Sequence, residues 1–361
     1  MEGLVIKDDT TTAGVKKSIA NNRLEWVDYA RGLAILLVVY RHTMVGLRRS
    51  GLDVPDLLYS IQEFLLNVRM PVFFLLSGVF LGQSFKKYSA GVIFLKKVKT
   101  LLYPYLLWSV ILISIQIFLN EYTNSNRTVK DYWYIVAQPR ELDHMWYLLA
   151  LFNTSSLMLL FSRWSLNHMA INVIAAIGLY FFHFYFTDYS LVSDLMYNYI
   201  FLVIGVYGFQ YVNKWEKIPV SRLVFYFLLA IPIFIAGQLF WLNGIDERYQ
   251  PLQKWYLLPF LLSILIGCMI YYLASRILFQ YGKGKWLGWI GRYSLYIYIL
   301  HILVISSVRI FFANVLKVDN VYILIFASLI LGVIVPVFAY RVIVKYNGFY
   351  LFSLEKPRKA I

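Results

Sequence analysis

The sequence predicts an all-α membrane protein, a polytopic bundle of about ten transmembrane helices, from its composition, its long apolar runs and the placement of its positive charge. Of 361 residues, 60% are hydrophobic and 19% aromatic, and only 15% are charged. A soluble domain is nearer half apolar and a quarter charged, and no single soluble core of this length could hide so much apolar surface. The mean hydropathy is correspondingly positive.

A helix rises 1.5 Å per residue, so one span needs about 20 apolar residues. Such runs occupy 24–46, 64–81, 103–119, 145–161, 170–186, 195–211, 223–242, 255–278, 293–312 and 321–344. Lipid leaves backbone polar groups only helices or a closed barrel as solutions, and runs this continuously apolar are helices. Trp26, Trp146, Trp215, Trp241 and Trp255 stand near run ends, as residues of an interfacial belt do. Residues 1–23 are polar and lack an apolar core of the signal-peptide kind, so they read as a cytosolic tail. Residues 24–344 form one membrane domain, and 345–361 a second cytoplasmic tail. Cys268 is the single cysteine, which excludes an intrachain disulfide and any Cys-based metal cluster.

Charge orients the bundle. The chain carries 34 Lys and Arg against 19 Asp and Glu, a net charge of +15. The two tails and alternate loops hold 22 of the basic residues and the opposite loops 8, while Arg31, Arg41, Arg69 and Arg309 lie within runs. The positive-inside rule then puts both termini in the cytoplasm, which requires an even number of spans. The basic excess is topological. No folded basic domain exists to take nucleic acid, and the lipid bilayer is the implied partner.

A charge within a span costs about 2.5–3.5 kcal/mol on insertion scales, so each asks for a reason. Arg31 and His42 are 11 residues apart, which puts them on one helix face, separated by about 16 Å along the axis. Asp28 lies one turn before Arg31 on nearly the same face and can pair with it. One stripe therefore offers a cation to the cytosol and a proton acceptor to the far side. The plainer alternative is that Arg31 snorkels and His42 is an interfacial histidine.

On the second span Arg69 comes close to the depth of His42, beside Pro71, which frees a backbone carbonyl about one turn back. Ser77 and Gly78 lie deeper, where small residues favour close helix packing. Lys86, Lys87, Lys96, Lys97 and Lys99 then form a basic loop leading to Tyr103. That loop suits either a polyanion such as a nucleotide phosphate or lipid headgroups. His301, inside the ninth run, is a candidate proton-handling group or an interhelical hydrogen-bond donor. His144, before Trp146 and Tyr147, is placed to contact an outward substrate, and His168 and His183 read as loop or interface residues. No Gly-rich phosphate loop, zinc-binding His pair or Ser/His/Asp arrangement stands out.

The segment from Trp26 through Asp28 and Arg31 to Arg41 and His42 resembles the opening of the acyltransferase-3 family, whose first transmembrane helix carries an Arg, ten residues, then a His. The stretch Met70, Pro71, Phe73, Phe74, Ser77, Gly78 is similar to a second family motif. Three later landmarks also match: Lys99 to Trp108 with Pro104 and Tyr105, Met145 to Leu148, and Ser294 to His301 with Tyr296 and Tyr298.

That resemblance implies an integral membrane enzyme of a bacterial cell membrane that moves acyl groups from cytoplasmic acyl-CoA, acetyl-CoA foremost, onto extracytoplasmic glycans. Acyl-CoA is then a co-substrate, and no cofactor is permanently bound. Its phosphates would meet Arg31, Lys96, Lys97, Lys99 and Tyr103. His42 would be the general base, with Arg31, Asp28 and Arg69 in the catalytic group. His144, Trp146 and His301 would line the acceptor, a polysaccharide or lipid-linked glycan. The exopolysaccharide acetyl- or succinyltransferase branch is the nearest flavour. The chain departs from it at Arg69, where relatives often have His, and in using lysines before the third span, which cannot form the bidentate phosphate contacts of arginine. A proton-coupled transporter or exporter of a glycan or organic anion is the alternative from another class.

Overall fold

The computed structural model describes residues 24–120, 126–164, 168–215, 217–241, 256–318 and 320–356, among which every regular element is helical. In chain order the α-helices are α1 (Glu25–Arg49), α2 (Asp56–Phe64), α3 (Leu66–Phe85), α4 (Ala90–Lys97), α5 (Tyr103–Phe118), α6 (Trp146–Trp164) and α7 (His168–Phe182). They continue with α8 (Ser190–Trp215), α9 (Val220–Trp241), α10 (Leu257–Gln280), α11 (Lys285–Arg292), α12 (Ser294–Ile310) and α13 (Val321–Lys345). Among the described residues, nine helical segments are long and apolar enough to cross a membrane, and Trp146–Ser162 adds a shorter apolar one. The protein is a polytopic helix bundle.

Local chemistry sets several helix ends. α1 opens with Glu25 and Asp28 and closes with Arg48 and Arg49, each charge opposing the helix dipole at its end. Asn320 caps α13 by accepting from the amides of Tyr322 and Ile323 at 3.0 and 3.2 Å, which satisfies two of the first-turn donors. The side chain of Arg309 closes the far end of α1, donating to the Gly46 carbonyl at 3.1 Å and to Ser50 Oγ at 2.8 Å. One of the four charges within spans is thereby explained as structural.

Two close helix contacts position the rest. α3 lies against α8 so closely that a Cβ on Gly78 would collide with the Leu202 backbone, and one on Gly205 with the Leu75 backbone. Gly78 thus acts in packing, as small residues in membrane helices do. At the Arg31 end, α11 crosses α1 at comparable range: a Cβ on Gly32 would strike the Leu287 carbonyl, and one on Gly291 the carbonyl of Asp28.

The structure differs from the sequence reading in three places. Lys96, Lys97 and Lys99 are not in a loop, because α4 runs through a π-turn at Val98–Leu102 into α5. Three lysines hide the helix from a hydropathy scan without interrupting it. Residues 126–144, part of a loop between apolar runs in the sequence reading, are folded as well. Two 3₁₀ turns, Val129–Ile135 and Pro139–Leu142, fold back on α5, where buried Tyr105 donates to the Ile135 carbonyl at 2.6 Å. Third, Trp26 and Trp241 are core residues, not belt residues: each is 3% exposed and packs edge-on against Tyr272 and Phe260 respectively. An indole has the same sequence signature in either setting. The side chain of Trp215, Trp255, the 1–23 tail, Glu121 and the last residues of the second tail lie outside the described residues.

Candidate active site

α1 supplies both ends of the site. Arg31 is half-buried, its guanidinium stacked over the Phe80 ring of α3 at 4.4 Å from the centroid. Its charge bears on Lys97, half-buried at the end of α4, and on Tyr147. Asp28 is buried, its backbone pressed against Gly291 of α11. Lys96 and Lys99 are exposed, Lys96 with its ammonium 5.8 Å from the Tyr88 ring. Tyr103 is half-buried at the start of α5. The candidates at the Arg31 end therefore come from α1, α4, the π-turn and α5, with Arg31 and Lys97 brought within electrostatic range of each other.

His42, His144 and His301 converge at the other end of the stripe. The His42 ring centroid is 5.0 Å from that of His301 and 6.2 Å from that of His144, and the last two are 4.9 Å apart. The three come from α1, the turn before α6, and α12. His42 is half-buried, whereas His144 and His301 are 3% and 0% exposed. The rings meet edge to face. Among the described residues no group of three or more His, Cys, Asp or Glu is arranged to hold a metal ion.

His144 is held by its neighbours. Its Nε2 lies 3.3 Å from the Ile299 carbonyl. Asp143, just before it, has φ +55°, a left-handed value that is rare for a residue with a Cβ. Gln116 donates to the Asp143 carboxylate at 3.2 Å, and Arg127 Nε donates to Gln116 at 3.1 Å. Arg127 also reaches the Glu141 carbonyl. A turn that must adopt an unfavourable backbone is thus clamped from two sides, and the clamp aims His144 into the cluster.

Aromatic rings link the two ends. Tyr147 sits 5.2 Å from Phe74 and 5.3 Å from Tyr298, and its hydroxyl pairs with Ser77. Tyr298 in turn packs at 5.2 Å from His144 and 6.0 Å from His301. Tyr147 and Tyr298 belong to motifs visible in the sequence, but nothing in their spacing brings them together, since they stand on different helices.

Arg69 is 4% exposed and donates across the helix interface to the Leu37 carbonyl of α1 at 3.4 Å. Leu37 lies one turn before Arg41, so Arg69 braces α1 just beneath His42. It does not cap its own helix at the carbonyl freed by Pro71. Arg41 instead points to α2, donating to Gln62 at 3.0 Å. Trp146 is not in the cluster: Arg140 covers its ring face at 4.6 Å and pairs with buried Asp194 at 2.5 Å. His183, expected in a loop or at an interface, is 0% exposed and packs between Tyr180 and Tyr197. The side chain of His168 lies outside the described residues.

The arrangement places cations at one end of α1, three imidazoles about 16 Å away by helix rise, and a chain of aromatic contacts between them. A family model described as an acyltransferase domain matches residues 24–341, which takes in every residue of this site. No curated protein and no solved structure matches the chain.

Proposed function

Because the chain belongs to the acyltransferase-3 family of membrane acyltransferases, we propose that it moves an acetyl or succinyl group from cytoplasmic acyl-CoA to a hydroxyl of an extracytoplasmic glycan, with His42 as general base. The observation that carries this reading is the separation of Arg31 and His42 along one face of α1, with buried His144 and His301 gathered at the His42 end. A cationic entrance suits a polyphosphate donor, and a cluster of imidazoles suits proton removal from a hydroxyl near neutral pH.

In this reading the excess of Lys and Arg in the tails and alternate loops puts the Arg31 end in the cytoplasm. Arg31, Lys96, Lys97, Lys99 and Tyr103 receive the donor's phosphates, and the acyl arm extends along the aromatic path. Asp28 steadies the Arg31 end of the stripe. His42 takes the proton of the glycan hydroxyl as its oxygen attacks the thioester carbon. Arg69 stabilises the developing oxyanion or holds an acidic group on the acyl chain. His144 faces the acceptor, a polysaccharide or lipid-linked glycan, in the membrane of a bacterial cell, while Trp146, covered by Arg140, stands back from it.

The test is turnover of radiolabelled acetyl-CoA and succinyl-CoA by the purified protein with a glycan acceptor. Labelled glycan and free CoA in equal amounts are expected. Glycan or anion movement across proteoliposomes without thioester cleavage would instead favour a transporter.

A further inference from the structure

His301 Nδ1 lies 2.7 Å from the carbonyl of Tyr298 and 3.0 Å from that of Ile297, both one turn back on its own helix. Carbonyls only accept, so the hydrogen is on Nδ1 and Nε2 presents a lone pair. That Nε2 is buried and has no hydrogen-bond partner. His144 is in the mirrored condition: Nε2 faces the Ile299 carbonyl, and Nδ1 is buried without a partner. Two buried imidazole lone pairs, on rings 4.9 Å apart, therefore have no donor among the described residues. A buried polar atom left this way asks for an explanation.

A candidate donor is His42, whose ring is 5.0 Å from that of His301. The two are not hydrogen-bonded in this structure, but that separation admits an N–H···N bond of ordinary length once the rings turn toward each other. No described residue hydrogen-bonds to His42, so its ring is not committed elsewhere. The other titratable or charged groups facing the pair are Tyr298 on α12, His144, Arg41 on α1 and Arg69 on α3.

We propose that His301 is a positioning residue that acts through His42 as the second member of a two-imidazole proton relay. This rests on His42 being the general base. As the glycan oxygen bonds to the thioester carbon, its proton passes to one nitrogen of His42. The hydrogen on the other His42 nitrogen passes to Nε2 of His301. When the C–S bond breaks, the proton returns through His42 to the thiolate sulfur, and CoA leaves as the thiol. The two histidines end in the state in which they began.

The test compares His301→Asn, which keeps a donor near the Nδ1 position, with His301→Gln, which keeps a polar atom near Nε2; neither can carry the proton. kcat and the KM for acyl-CoA are measured in mixtures of H2O and D2O, with His42→Ala as reference. Both His301 variants are expected to lose about 10- to 100-fold in kcat with little change in KM. The wild-type dependence of kcat on deuterium content should be curved, from two protons in flight, and linear in both variants. Curvature that persists in a slowed variant, or a kcat within about threefold of wild type, overturns the relay. If His42→Ala is inactive while both His301 variants behave as wild type, only the relay fails. If His42→Ala keeps full turnover, the general-base reading fails with it.

Discussion

Arg69 on α3 donates to the carbonyl of Leu37 on α1 at 3.4 Å, so a buried cation spans the helix interface immediately below His42. The bond is long, and it is the one hydrogen bond that Arg69 makes among the described residues. A guanidinium has five donors in a fixed fork, so most of its donor capacity is uncommitted among the described residues.

Arg69→His separates a chamber role from a purely bracing one. A chamber role predicts a lower kcat or a shifted preference between acetyl and succinyl donors, at nearly unchanged Tm. A bracing role predicts a lower Tm with normal turnover per folded molecule.

The donor end makes its own prediction. Neutralising Lys96, Lys97 and Lys99 together should raise the KM for acyl-CoA and flatten its dependence on ionic strength, because exposed charges are screened by salt. Arg31→Lys should recover only part of what Arg31→Ala loses, since an ammonium lacks the planar, delocalised group that sits over Phe80. An unchanged KM in the triple variant would assign the lysines to topology alone.

Helix packing is tested at the glycines. Gly78→Ala places a methyl group against the Leu202 backbone and should destabilise the protein by about 1–3 kcal/mol, the usual cost of overpacking. Gly46→Ala meets nothing within 4 Å and should leave Tm equal or slightly higher, as alanine favours the helix. Equal losses at both positions would contradict the close α3–α8 contact.

These contrasts show what one-dimensional pattern carries. The apolar runs and the shared face of Arg31 and His42 depend on the 3.6-residue period of a single helix, and were legible for that reason. The meeting of His42 with His144 and His301 depends on three segments packing at one depth, which no local spacing encodes. The folding of residues 126–144 was not legible because a segment folded against a bundle needs no long apolar run; two 3₁₀ turns and Tyr105 hold it. Trp146 was singled out by its place beside His144, yet adjacent residues project in different directions, and its ring is covered by Arg140.

Orientation can be read in intact cells with an impermeant amine reagent. Lys130, exposed on the turn after α5, should react, while Lys86 and Lys87 should be protected until the membrane is opened. The reverse pattern would invert the bundle and remove the basis for a cytoplasmic donor.

In the proposed reaction His42 removes the proton from the acceptor hydroxyl, and the most direct test is the acyl-transfer rate of purified His42→Ala, measured per folded molecule against wild type with labelled acyl-CoA. Loss of a positioned base predicts a fall on the order of 10²–10⁴ in kcat with helix content unchanged. A rate within a fewfold of wild type would contradict the account.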